Sequence, residues 1–442
     1  MSDALDAILL RSDRPDFAAQ IEALRRSLIT GAAFAPDSPE YQQVIDILRS
    51  VARDPDVALI EYTRQYDGVG LARETLRVSS EELRRCHGQI DKDLMKSVRR
   101  AIANVRAYQK RIFVGPWLRQ VARRSNRTGI RVTPIASVGV CVPGASAPLP
   151  STVIMTVVPA QVAGVKRIAV VSPPRHNGAI HPVIQAVCWE LGVDEVYRVG
   201  GAQAVAALAS EHGTIPKVDK IVGPGNRWVQ TAKRLVGGRY VGIDSIAGPS
   251  EVLIVANSKA NAAWVAADML SQAEHDPGSA VLVTDSQPLA EAVLTDLKTQ
   301  VRQLSRADST QRCLTDFSRI IVFGDLDEAI DFANSLASEH LQVQCGPKSR
   351  SVAKRIVNAG AIFIGPYSPV AVGDYWAGPS HTLPTGTTAR FFSALSSNDF
   401  IKTTSIIEYG KTDLAAAADD IERLARTEGL DAHARSVHIR RP

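Results

Sequence analysis

The stretch SVGVCVPGASAPLPSTVIMTVVPAQVAGVKRIAVVS, residues 137–172, decides the fold. Two short apolar runs, SVGVCV and RIAVVS, flank a helix-like stretch, a spacing that implies parallel strands joined by a crossover helix. The pattern continues in EVYRVG (195–200) and KIVG (220–223). After AGPSE (247–251) a second series follows: VLIVA (252–256), AVLVTD (280–285), RIIVFG (319–324), LQVQ (341–344) and AIFIG (361–365), with helical stretches between them. The fold class is therefore α/β, with two incomplete Rossmann-like, doubly wound lobes at 136–250 and 251–391.

Outward from these lobes the texture changes. Residues 1 to about 112 are mainly helical, as EYQQVIDILRSVARDP (40–55) and KDLMKSVRRAIANVRAYQKRI (92–112) carry apolar residues at three- and four-residue intervals. An N-terminal arm (1–30) and a helical part (31–135) packing with the second lobe are expected. The stretch GPYSPVAVGDYWAGPSHTLPTGTTARF (365–391) is rich in Gly and Pro but also carries Asp374, Trp376 and His381. It is too aromatic for disorder and reads as a loop lining a site. A tail domain (392–442) closes the chain with an Ala-rich helix from about 412 to 427.

Composition narrows the function. The chain has 442 residues, 45% hydrophobic and 22% charged, with a net charge of +5, so nothing global calls for nucleic acid or membrane. The densest basic run, RQVARRSNRTGIR (119–131), reads as a solvated loop before a strand. Five scattered cysteines show no CxxC spacing, which argues against a disulfide framework and a thiolate zinc site. The N-terminus is too acidic for a signal peptide, and the expected location is cytoplasmic.

No GxGxxG follows a strand, but three glycine-rich turns do: VPGASAP (142–148), VGGAQAVAAL (199–208) and VGPGNRWV (222–229). Such turns gather beyond the carboxyl ends of parallel strands, where helix N-terminal amides hold phosphates, so a nucleotide is expected in the first lobe. LSQAEHDPGS (270–279) places Gln272, Glu274, His275 and Asp276 at the end of an apolar helix. Alone it reads sooner as a polar helix end stopped by Pro and Gly. The histidines show no HExxH spacing, and imidazole and oxygen donors without thiolates would suit zinc or manganese only if they converged.

With these stretches in view the chain resembles the histidinol dehydrogenase family over nearly its whole length. The likeness is carried by VPGASAP, PAQVAGV, VGGAQAVAAL, PKVDKIVGPGN, GIDSIAGPSEVLIVA, LSQAEHDPGSAVLVT, SEHLQV, SPVAVGDYWAG, SHTLPT and EGLDAH. The resemblance implies two oxidations of L-histidinol, through L-histidinaldehyde to L-histidine, with zinc and NAD. It implies Gln272, His275, Asp374 and His433 as zinc ligands and the Glu339–His340 pair for the chemistry. Ser250, His381 and Glu428 would contact substrate, together with His340 and the zinc ligands. The nucleotide would meet Gln203, Asn226 and position 141. A homodimer whose tail crosses to the partner is also implied.

Several positions depart from the family pattern. Cys141 stands in place of a tyrosine, Ala145 of a glycine, Ser338 of a proline and Val370 of a glutamate, while Gly378-Pro379-Ser380-His381 replaces G-T-N-H. These changes leave a second hypothesis, a dehydrogenase of the same fold for another amino or sulfonated alcohol. A third, a non-catalytic nucleotide- or RNA-binding relative, sits poorly with six retained chemical residues.

Overall fold

Each apolar run of the two series becomes a strand in the computed structural model, which describes residues 3–30, 34–115, 118–123, 126–144, 148–275 and 277–441. The arm contributes β1 (Leu9–Arg11), and β2 (Leu118–Arg123) and β3 (Asn126–Pro134) precede the first lobe. That lobe holds β4 (Ser137–Cys141), β5 (Arg167–Ser172), β6 (Glu195–Arg198), β7 (Lys220–Val222) and β8 (Gly242–Ile243). The second holds β9 (Ser250–Ala256), β10 (Gly278–Thr284), β11 (Arg319–Val322), β12 (His340–Gln344) and β13 (Ala361–Ile364), and β14 (Ile401–Glu408) follows.

The first sheet runs β6-β5-β4-β7-β8 and the second β1-β11-β10-β9-β12-β13, all parallel. Within each lobe its own strands lie in the order third, second, first, fourth, fifth. This is the doubly wound order one strand short, used twice. The arm adds β1 to the edge of the second sheet by pairing Leu10 with Ile321.

Helices cover both faces of each sheet because the strands are apolar on both sides. In the first lobe Val140 and Val170 face one core with Val153, Val157 and Ile184. Cys141 and Val171 face the other with Val205, Leu208 and Ala232. The helix Pro150–Ala163 is apolar all round, and almost every side chain is buried. It starts on a proline and stops at Gly164 in the left-handed conformation.

The helical part packs elsewhere than expected. Helices Pro39–Arg53 and Pro55–Asp67 lie on Gly201–Leu208, Ser80–Gln89 on Pro182–Glu190, and Lys92–Ile112 on Pro150–Ala163. All belong to the first lobe, not the second. Periodicity marks an apolar stripe but carries no label for the sheet that receives it. The region is also not helical to 135, because the basic run at 119–131 forms most of β2 and β3 instead of a loop. β3 pairs antiparallel with both β2 and β14, so the tail's strand shares a sheet with residues far upstream. Among the described residues no helix is long and apolar enough to cross a membrane.

The turn after β7 is fixed by a buried ion pair. Gly223 sits at φ +107°, and a Cβ there would meet the Cys141 carbonyl oxygen at 2.4 Å, so only glycine fits. Its N–H donates to Asp244 Oδ2 at 2.7 Å and its carbonyl accepts from Lys233 Nζ at 3.0 Å. Lys233 and Asp244 pair with each other, both almost wholly buried. Removing the cation strands a buried carboxylate. Lys233→Met is therefore expected to destabilise the protein by about 3–5 kcal/mol, measured by chemical denaturation. Unchanged stability would refute the role given to the pair.

Candidate functional site

The site forms where the two sheets meet end to end. A cavity of about 660 Å³ is lined by Phe34, Asn226 and Trp228 on one side and by Gly248, Pro277 and Phe317 on the other. Asn226 follows β7, whereas Gly248 precedes β9, Pro277 precedes β10 and Phe317 precedes β11. The first lobe thus presents the carboxyl ends of its strands and the second the amino ends. Ligands were expected beyond carboxyl ends, and only one wall obeys that rule.

Glu339 and His340 lie at the start of β12, both buried. Glu339 Oε2 accepts from Ser250 Oγ at 2.7 Å and from the Glu251 N–H at 2.8 Å. His340 Nδ1 lies 3.1 Å from the Glu251 carbonyl oxygen, so in the neutral ring Nδ1 carries the proton. Its Nε2 faces Asp374 Oδ1 at 3.6 Å and has no hydrogen bond. Burial pulls the imidazole pKa down, but the Glu339 and Asp374 carboxylates outweigh it and raise it to about 10. Burial likewise pushes Asp374 up, yet the His340, His381 and His275 imidazoles hold it below the usual carboxylate range.

The helix Ala262–Ala273 ends against the start of β10, which pairs Gly278 with Ser250. Gln272 is buried, and its amide nitrogen has no hydrogen-bond partner. Gly278 lets β10 start against that helix end, since a Cβ would lie 2.1 Å from the Gln272 carbonyl oxygen. His275 is exposed on the turn, and Asp276 lies outside the described residues. The expected loop carries Asp374 on the short helix Val370–Tyr375 and brings His381 to the first lobe. His381 Nε2 lies 3.4 Å from Thr152 Oγ1, and Ser380 Oγ donates to the Met155 carbonyl at 2.9 Å. Burial lowers the His381 pKa, with Asp374 and Glu339 opposing.

One chain therefore gathers Ser250, Gln272, His275, Glu339, His340, Asp374 and His381. It does not add His433 or Glu428, which are exposed on and just before the closing helix Asp431–His438. Among the described residues no three His, Cys, Asp or Glu side chains form a metal cluster. The Gln272 side-chain oxygen, the His275 imidazole and the Asp374 carboxylate are nevertheless donor types that fit a divalent cation of the zinc type. On the other wall, Gln203 and Asn226 line a second cavity of about 270 Å³ with Asp67 and Arg175. Asn226 also caps its helix through the Val229 N–H. Cys141 lies outside that lining, its thiol packed in the core and pushed up to about 12 by burial.

Of the departures, Ser338 donates to the His340 carbonyl at 3.0 Å, which a proline cannot do. Val370 is buried in the apolar core of the second lobe, and Ala145 lies outside the described residues. Sequence reasoning missed Glu251, although a glutamate opening the otherwise apolar strand SEVLIVA was a signal. Its carboxyl is buried among the same groups; burial, with the charge of Glu339, pushes it up to about 8.

Comparison with known proteins agrees with this arrangement. The family model for histidinol dehydrogenase matches residues 36–441. Histidinol dehydrogenase of Geobacillus kaustophilus is 45% identical over 419 residues, covering 95% of this chain and 96% of that protein. That of Rhodopirellula baltica is 44% identical over 416 residues, covering 93% and 88%. The crystal structure of histidinol dehydrogenase from Elizabethkingia anophelis superposes with a TM-score of 0.88 at 32% identity, covering 98% and 97%.

The charge argument at His340 is testable without turnover. In metal-free protein carrying labelled histidine, Glu339→Gln is expected to lower the His340 ring pKa by roughly one unit or more, read by carbon NMR. An unmoved titration would show that Glu339 does not set it.

Proposed function

We propose that this chain, which belongs to the histidinol dehydrogenase family, uses zinc and NAD to oxidise L-histidinol twice, through L-histidinaldehyde to L-histidine. These would be the last steps of histidine biosynthesis, carried out by a cytoplasmic homodimer. The observation that carries the proposal is the buried Glu339–His340 pair, held between Ser250, Glu251 and Asp374 at the start of β12.

When bound, zinc would supply positive charge to orient the substrate's amine and imidazole, and NAD would accept a hydride in each oxidation. Gln272, His275 and Asp374 would hold the metal from one chain, and Gln203 and Asn226 would meet the nucleotide. His340 would take the hydroxyl proton on Nε2, since Nδ1 is engaged by the Glu251 carbonyl. Asp374 supplies part of the charge that raises His340, and as a metal ligand it would supply less, bringing Nε2 back toward the neutral range. Glu339 commits Oε2 to two donors, which leaves Oε1 to activate water for the second oxidation. Two neighbouring titratable groups given separate roles is a recurring arrangement.

The tail supports the dimer. His433 and Glu428 stand exposed, away from the cluster they would complete. Large apolar side chains are exposed along the edge of the second sheet, Tyr367 at 84%, and on the C-terminal part, Ile407 at 75%. Such side chains mark a surface built to be covered. A second substrate class, another amino or sulfonated alcohol, is favoured only by Val370, four positions before Asp374, where the family places a carboxylate.

A panel of alcohols assayed for NADH release tests the proposal. L-Histidinol is expected to give two NADH per molecule, and strong chelation to abolish turnover with about one zinc lost per chain. Full activity in metal-free protein would sink the zinc assignment, and preference for another alcohol would move the substrate. Separately, mixing inactive His433→Ala and inactive His340→Ala chains is expected to restore part of the activity through hybrid dimers. No recovery in verified hybrids would mean that each site is built from a single chain.

A further inference from the structure

We propose that Glu251 is a positioning residue for this chemistry, a strap that holds the Glu339–His340 pair and the His381 loop in one register. The inference rests on the oxidoreductase reading above but uses contacts that reading does not need. Glu251 is the second residue of β9 and only 3% exposed. Its N–H, its carbonyl and Oε1 each engage residues of the site, while Oε2 is buried without a hydrogen-bond partner. Its N–H donates to Glu339 Oε2 at 2.8 Å, and its carbonyl engages His340 Nδ1 at 3.1 Å. Its carboxyl Oε1 accepts two further N–H groups at 3.1 Å each, from Glu339 and from Gly386.

The pairing with Glu339 is reciprocal, because each carboxyl accepts the other residue's amide. Beyond the sheet ladder, β9 and the start of β12 are thus cross-tied at Glu251 and Glu339. The bond to Gly386 extends the tie into the loop five residues beyond His381. That loop is anchored a second time to the segment just before β9, through the Gly248 N–H and Thr385 Oγ1. A general base must sit within hydrogen-bond reach, about 2.6–3.2 Å, of the group that loses its proton, so a tie at this point bears on rate more than on ligand affinity.

What the strap requires is an acceptor of the right reach. A negative charge is a hindrance there, with the Glu339 carboxylate already beside it, and burial together with that charge favours the protonated carboxyl. Two substitutions separate reach from charge. Glu251→Gln keeps the length and an acceptor oxygen, whereas Glu251→Asp keeps the charge and shortens the side chain by one carbon. Both are mild enough to preserve the fold, which thermal melting and zinc content would verify.

With L-histidinol and NAD, Glu251→Gln is expected to keep kcat within about threefold of the unmodified enzyme, with its pH profile in place. Glu251→Asp is expected to lose about 10²-fold in kcat, the scale of a misplaced base, while the KM for NAD stays within about twofold. The reverse ranking would mean that charge carries the role and would overturn the strap. Equal losses, full activity in both, or a fall in kcat matched by the KM for NAD would overturn it as well. The unmodified enzyme run alongside keeps the two questions apart. If it releases no NADH from L-histidinol, the proposed substrate fails, and the same ranking is read on whichever alcohol of the panel it oxidises.

Discussion

A parallel strand has two unlike ends, and this molecule brings opposite ends of two sheets to one cleft. Helices that follow β4, β6 and β7 begin at the first wall, so their N-terminal amides point into the cleft. Helices that precede β10, β11 and β12 finish at the second wall and present their C-terminal carbonyls. One wall therefore carries partial positive charge suited to the phosphates of a dinucleotide, and the other partial negative charge suited to a cation. The cleft is polarised before any side chain is considered.

The side chains follow that polarity. Gln203 and Asn226 stand on the first wall, where the turn after β7 is held rigid by Gly223 between Lys233 and Asp244. Gln272, Glu339, His340 and Asp374 stand on the second. The carboxyl groups there are stabilised by what surrounds each: Glu339 by a hydroxyl and an amide, Asp374 by the charge of nearby imidazoles, Glu251 by two amides. Buried charge without such partners would cost several kcal/mol per group. The loop 376–391 then crosses from second lobe to first, and its contacts to Thr152 and Met155 set His381 over the cleft.

Membership of the histidinol dehydrogenase family fits both the repeated strand order and the retained polar residues. The altered residues divide by location. Ser338 adds a hydrogen bond behind His340, and Cys141 has withdrawn into the core of the first lobe. Val370, the first residue of the helix that carries Asp374, lies in the core of the second.

The sequence by itself determined the strands, their two series and the helices between them, because apolar runs bounded by glycine turns have few other ways to be buried. It also marked Gln272, His275, Glu339, His340 and Asp374, through motifs that resemble those of the family and not through their spacing. It could not say that helices 39–112 cover the first sheet, since an apolar stripe fits any apolar face. The pairing of β3 with β14 was equally hidden, being a contact across more than 260 residues of chain. Glu251 stayed unread because its importance lies in four hydrogen bonds to residues that only strand register brings near. Whether a strand offers the site its carboxyl or amino end is a property of how two sheets meet, and that was decided by the tertiary structure alone.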